Sequence, residues 1–360
     1  MSDALDRTNE LLRVNELVKY FPVRSGFWNR VSGHVHAVDN VSFSVTQGET
    51  LGLVGESGCG KTTLGRSIVR GIEPTSGRIH FRTKGGEVID LAQLSRKELR
   101  AYRSDFQMVF QDPYSSLDPR MSVLDIIAEP LKIHGFGTKT EIEERVKYLA
   151  SVVGLKIEHL KRYPHAFSGG QRQRIGVARA LATNPALIIA DEPVSALDVS
   201  IQAQVLNLLK ELQGEFNLTY VFVAHDLSVV EYISDRVAVM YLGKIVELAP
   251  TRTLFAVPKH PYTEALLSAV PKPAPDGAKN HLRLEGEVPN PANPPRGCRF
   301  HTRCRYAKDV CRTDEPPLEE VAEGQFVACH FAKELDLRGV TASGVARYEL
   351  PSDAVPIEPG

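Results

Sequence analysis

Long apolar runs are missing from this 360-residue chain: no stretch approaches the ~18 residues that a membrane-spanning helix needs. The N-terminal MSDALDRTNELLRV also lacks the basic start and apolar centre of a secretory signal. An excess of one charge is missing too. With 43 basic residues against 44 acidic ones, no net field draws the chain to nucleic acid or to an anionic bilayer. Neither a nucleic-acid partner nor direct membrane insertion is therefore expected, and any membrane contact has to run through another protein. Sustained heptads are absent, which excludes a long coiled coil. The five cysteines include no C-x-x-C pair, the spacing of zinc ribbons. Read as a cytosolic chain with reduced thiols, the cluster Cys298, Cys304, Cys311 and Cys329 points to metal or redox chemistry more than to disulfides.

What is present reads as an α/β chain of about two units. VDNVSFSVTQGETLGLVG, residues 38–55, alternates β-branched and polar residues and predicts two strands closed by a glycine turn. KTTLGRSIVRGI predicts a helix with Leu64, Ile68 and Ile72 on one face. From about residue 112 to 183 the pattern is helical and is expected to form a subdomain. ALIIAD and LTYVFVAHD are short apolar runs separated by the helical SIQAQVLNLLKELQ, the pattern of buried parallel strands with a crossover helix. After Pro250 the texture turns proline-rich, and Pro271 to Gly297 reads as a connector. The expected division is a nucleotide-binding domain over 1–250, a cysteine-bearing extension over 251–335 and a polar tail over 336–360.

GESGCGKT, residues 55–62, matches G-x-x-x-x-G-K-[ST] with a strand before it and a helix after it. Gly55, Gly58 and Gly60 let the backbone curl, so that its N–H groups, with those of Ser57 and Thr63, face phosphate at a helix N-terminus. Lys61 is expected on the β- and γ-phosphates of ATP and Thr62 on Mg²⁺. In LIIADEP, Asp191 and Glu192 close a hydrophobic strand. Asp191 is expected to hold Mg²⁺ and Glu192 to act as general base on the attacking water.

FSGGQRQRIGVARAL carries Ser168, Gly169, Gly170 and Gln171, which resemble the signature sequence of the ABC (ATP-binding cassette) ATPases. The resemblance implies a P-loop NTPase core with a helical subdomain. It also implies that the signature clamps the γ-phosphate bound to a second cassette subunit, so that the sites form in a head-to-tail dimer. Gln111 in MVFQDP resembles the family's Q-loop glutamine, expected on Mg²⁺ and the attacking water. Ser195 to Asp198 resembles the D-loop, and His225 in VFVAHD the switch histidine that aligns Glu192 with the γ-phosphate. Phe21 in LVKYFP, with Tyr20 second to it, is expected to stack on adenine.

Two more stretches, YFPVRSGFWNRVSGHVHAVDNVSF and KHPYTEALLSAVPKP, resemble the ATPase subunits of bacterial dipeptide and oligopeptide importers, as does the pattern CRFHTRCRYAKDVCRTDEPPL…VACH. That resemblance implies a cassette partner that is a paralogue, two transmembrane permease subunits and an extracytoplasmic solute-binding protein. The implied location is the cytoplasmic face of the inner membrane. It also implies a [4Fe-4S] cluster on Cys298, Cys304, Cys311 and Cys329. These are separated by five, six and seventeen residues, and zinc or unligated thiols remain as alternatives. Arg296, Arg299, Arg303 and Arg305 read either as offsets to thiolate charge or as a solvated face. The rival readings are an importer of another solute (oligosaccharide, glutathione or metal), a redox-sensing tail, and an ABC ATPase that never meets a permease.

Overall fold

The structure is a computed structural model that describes residues 9–25, 30–269, 284 and 286–340. Two sheets carry it. A long antiparallel hairpin, β1 (Glu10–Ser25) and β2 (Arg30–Thr46), leads to β3 (Thr50–Val54), whose residues are all buried. β3 lies between parallel neighbours, and such strands are apolar throughout because both faces are covered. The glycine loop follows, and α1 (Lys61–Ile68) starts behind it. α1 ends before the expected Ile72, and Arg70 takes a φ of 52° in the turn beyond it. β4 (Ser76–Arg82) and β5 (Val88–Asp90) complete an antiparallel sheet of order β2-β1-β4-β5, and α2 (Arg96–Tyr102) leads to β6 (Phe106–Val109).

Three helices form the next layer: α3 (Val123–His134), α4 (Lys139–Val152) and α5 (Gly169–Leu181). Ser122 caps α3 and Gly135 ends it in the left-handed conformation, while Thr138 with Glu141 and Ser168 with Gln171 form capping boxes on α4 and α5. The chain returns to the sheet through β7 (Leu187–Asp191), α6 (Val199–Phe216), β8 (Thr219–Val223), α7 (Leu227–Ile233), β9 (Arg236–Tyr241) and β10 (Lys244–Pro250). α8 (Thr251–Ala256), α9 (Pro261–Ser268), α10 (Val310–Thr313), β11 (Glu319–Ala322) and β12 (Gln325–Val327) follow. The second sheet has the order β11-β12-β10-β9-β3-β8-β7-β6, and β9, β3, β8, β7 and β6 run parallel.

This order positions the site. Parallel strands β3, β8, β7 and β6 are neighbours, and one or two residues past their carboxyl ends stand Gly55, His225, Glu192 and Gln111. Ligands of open α/β sheets bind at that edge.

The extension is not a separate body. β12 pairs with β10, and Phe300, itself 2% exposed, joins the main core. The buried Glu247 carboxylate accepts from the Lys259 and His260 amides and from Gln325 Nε2, so one acid fastens the start of α9 and strand β12 together. Past the boundary expected at residue 335 the chain still packs against the fold. Leu337 and Val340 are buried, and the Val340 amide donates to the Phe255 carbonyl. Within the expected connector, residues 271–283 and 285 lie outside the described residues, while the Pro291 carbonyl accepts from the His36 amide on β2. Residues 26–29 and the tail 341–360 also lie outside them.

Candidate active site

The glycine loop is built by steric necessity. Gly60 has φ 110°, and a Cβ there would lie 1.9 Å from the Ala37 carbonyl oxygen; at Gly55 it would lie 2.1 Å from that of Met240. Only glycine fits either place. Gly60 is also the N-cap of α1 and offers no side-chain cap, which leaves the first amides of the helix available to an anion. Lys61 is buried, and its Nζ donates to the Gly55 and Glu56 carbonyls at 2.7 and 3.0 Å, so the ammonium sits within the loop.

Behind the loop, Thr62 Oγ1 donates to Asp191 Oδ1 at 2.8 Å. Asp191 is fully buried, Oδ2 has no hydrogen-bond partner, and the Arg66 guanidinium stands 3.7 Å away. Burial raises the carboxyl's pKa, against the Thr62 hydrogen bond and the Arg66 charge, which lower it. A divalent cation would satisfy the orphaned oxygen and relieve that penalty, so Thr62 and Asp191 fit Mg²⁺. One carboxylate and one hydroxyl are the sparse protein ligand set Mg²⁺ takes beside phosphate. Arg66 was not anticipated from the sequence; it stands one turn after Thr62 on α1, and that spacing is the one signal that could have found it.

Glu192 gathers the rest. Gln111 Nε2 donates to its Oε2 at 2.9 Å, and His225 Nδ1 lies 3.1 Å from the same oxygen. Its φ of 46° is in the left-handed region, which costs a non-glycine residue on the order of 1–3 kcal/mol. The surroundings impose it: the Glu192 amide donates to the Val223 carbonyl, and the Ser195 amide and hydroxyl both donate to the Glu192 carbonyl. Strain held in this way aims a carboxylate. The carboxylate is 15% exposed and His225 is 56% exposed, so water reaches the site from the side of the imidazole.

Ser168 to Gln171 sit at the start of α5. The Ser168 hydroxyl accepts from the Gln171 amide at 3.3 Å, and Gln171 Oε1 accepts from the Ser168 amide at 3.1 Å. A Cβ on Gly170 would come within 2.4 Å of Ile201 Cγ2, so this glycine lets α5 approach α6 closely. At the adenine end, Tyr20 donates to Asp39 Oδ1 at 2.6 Å and lies against His36 with ring centroids 4.1 Å apart. Phe21 keeps an exposed ring, with Lys19 Nζ 4.9 Å from its centre. Of the two, Phe21 is the more exposed ring, with Lys19 over one face.

Cys298, Cys304, Cys311 and Cys329 line one small pocket with His260, Phe300 and Phe331. Burial raises Cys298 to about 12, Cys304 to about 11, and Cys329 as well. Thiols raised in this way need a cation to become thiolates, and four soft donors lining one pocket are the donor type of iron–sulfur chemistry. His260, fully enclosed and pushed down to about 3, is neutral. Among the described residues, however, no group of three or more His, Cys, Asp or Glu side chains is arranged to hold a metal ion. The metal centre expected at these cysteines, iron–sulfur or zinc, is thus not shown. Of the flanking arginines, Arg296 and Arg305 are exposed, as a solvated face requires, while the other two depart from both expectations. Arg299 and Arg303 are neither solvated nor turned to the thiols; they pair with Asp39 and with Glu56 of the glycine loop.

A phosphate-sized nest at a helix start, a buried acid behind it and a strained, solvent-reached glutamate beside it are the parts of a P-loop nucleoside-triphosphate hydrolase. Known proteins resolve the class further. Residues 38–195 match the family described as ABC transporter, and residues 246–311 match the oligopeptide/dipeptide transporter C-terminal region. The chain is 56% identical over 324 residues to the oligopeptide transport ATP-binding protein AppF of Bacillus subtilis, covering 89% of this chain and 97% of that one. It is 51% identical over 356 residues to the probable peptide ABC transporter ATP-binding protein y4tS of Sinorhizobium fredii, covering 99% and 98%. The dimeric cassette MJ0796, solved in a post-hydrolysis state with ADP and Pi, is similar with a TM-score of 0.58 and 28% identity over 67% of this chain and 99% of that one. The chain belongs to the ATP-binding subunits of ABC transporters, and it is an ATPase. No helix among its described residues is long and apolar enough to cross a membrane.

Proposed function

We propose that this chain is the ATP-hydrolysing subunit of an importer for dipeptides and oligopeptides. The observation that carries the reading is the meeting of Gln111 and His225 on one oxygen of Glu192, beside the Thr62–Asp191 pair. Lys61 and the loop amides hold the phosphates of ATP; Thr62 and Asp191 hold Mg²⁺, which neutralises charge on the phosphate oxygens. Glu192 takes a proton from water as its oxygen attacks the γ-phosphorus, and ADP leaves. His225 keeps the carboxylate on that line, and Gln111 couples it to the surface. Phe21 stacks on adenine. Ser168 to Gln171 close over the nucleotide of a second cassette, a paralogue in a head-to-tail pair.

Peptide as cargo is supported by the names of the relatives and by the C-terminal match. A groove of about 720 Å³ beside Gln111, lined by Phe110, Pro130 and Ile133 among others, supplies a surface for a permease subunit. Two permeases, an extracytoplasmic binding protein and a peripheral place on the inner face of the membrane complete the assembly. The nucleotide-binding domain spans 1–250 and the extension 251–335, in which the four cysteines hold a [4Fe-4S] cluster that cross-links a loop-rich segment.

Uptake of a labelled tripeptide by cells lacking this subunit tests the reading. The wild-type chain should restore uptake and Glu192→Gln should not. Restored uptake of an oligosaccharide but not of peptide would shift the cargo to the rival solute.

A further inference from the structure

The second residue of the glycine loop is an acid. Glu56 stands between Gly55 and Ser57, where a bare carboxylate would oppose the charge of an incoming triphosphate and leave its own backbone free to turn. Three side chains restrain it. Its amide donates to Tyr262 Oη at 2.8 Å, its carbonyl accepts from Lys61 Nζ, and its carboxylate receives both arms of Arg303, NH1 at 2.7 Å and NH2 at 3.1 Å. The arginine lies 247 residues downstream, directly before Cys304, with a side chain only 6% exposed. Partly buried, two-armed pairs of this kind are stronger and more directional than surface ion pairs. The Tyr262 ring in turn packs on Tyr241 and on Phe300, with centroids 4.7 and 5.3 Å apart, and Phe300 lines the cysteine pocket. Two paths, one ionic and one aromatic, thus run from that pocket to a single loop residue.

We propose that Arg303 is a positioning residue for the ATPase reaction: by gripping Glu56 it both neutralises and orients the phosphate-binding loop, so that the cysteine-bearing extension sets the nucleotide affinity of the site. This rests on residues 55–62 being the triphosphate site. The effect belongs to binding and not to the chemical step, because Arg303 touches neither Glu192 nor the Thr62–Asp191 pair.

The test is a double-mutant cycle in the full-length chain, read as the Kd of a fluorescent ATP analogue and as kcat at saturating ATP. Arg303→Ala should weaken binding roughly tenfold while kcat changes by less than about threefold. In a Glu56→Gln background, where there is no charge to grip, the same substitution should add little. Arg303→Lys, which keeps the charge without the fork and is the milder change should the alanine variant fold poorly, should recover part of the affinity. An unchanged Kd, or an equal loss in both backgrounds, overturns the proposal, the second because the arginine would then act through the fold of the extension. Lys61→Ala separates the parent reading. Normal binding by that variant overturns the phosphate-site assignment and this inference with it, whereas lost binding there beside an unchanged Arg303→Ala overturns only the inference.

Discussion

Around Glu192 a largely covered carboxylate is already bonded to Gln111 and to a solvent-exposed His225; around Cys304 the four thiols are half-buried or buried, and burial raises Cys298, Cys304 and Cys329. The first region is made of strand ends. Each of its residues follows within two positions of a buried parallel strand, so the sheet itself delivers them to one edge. The second is made mostly of loops, with Cys311 in the short α10, and it is anchored where Phe300 enters the main core and Glu247 fastens α9 to β12. One site is pre-organised by secondary structure, the other by a few tertiary anchors. Disturbance should therefore act on the first through rate and on the second through stability and content.

The sharpest break of that contrast is Glu192→Gln. Removing the base should lower the hydrolysis rate by roughly 10²- to 10⁴-fold with nucleotide binding retained, measured by single-turnover hydrolysis beside equilibrium binding. A variant that hydrolysed at the wild-type rate would move the base elsewhere. Next in size is Phe300→Ala, which empties a buried aromatic position between the Tyr262 ring and the thiols; a loss of about 3–5 kcal/mol in denaturant unfolding is expected, with kcat per folded molecule held. If kcat fell as steeply as stability, the two regions would not be separable in this way.

Cys304→Ser or Cys311→Ser then tests the second region alone. Iron and acid-labile sulfide in anaerobically purified protein should fall towards zero from about four of each per wild-type chain, and protease should cut the extension sooner. Wild-type iron in the variants, or none in the wild type, would remove the cluster and leave the thiols unligated. The smallest effect is expected at the adenine end. Phe21→Ala should weaken ATP binding by about 1 kcal/mol, roughly fivefold, while Tyr20→Phe, which only removes the hydrogen bond to Asp39, should change it less. The reverse order would make Tyr20 the stacking aromatic.

The same contrast explains what the sequence makes legible. GESGCGKT announces its own geometry, because Gly55 and Gly60 meet backbone oxygens that admit no Cβ and such turns are specified residue by residue. The two strands over 38–54 and the helices of the 112–183 region followed from periodicity, although α1 stops short of Ile72. Two of the four arginines beside the cysteines depart from the expectation. Arg299 and Arg303 lie in a loop with no periodic partner, and nothing in their neighbourhood names Asp39 or Glu56. Gly170, legible only as part of a signature, also serves the close approach of α5 to Ile201.

By itself the sequence determined the chemistry: a phosphate loop, an acid pair at a strand end and a histidine after another strand, each encoded over a few contiguous residues whose backbone preferences are local. Tertiary structure alone decided the connections between them. Gln111 and His225 share an oxygen of Glu192 because β6, β7 and β8 lie side by side. Arg303 reaches Glu56 across 247 residues because the extension adds strands to the same sheet. Contacts of that range are set by which buried surfaces pack together, a property of the whole folded chain that no short stretch contains.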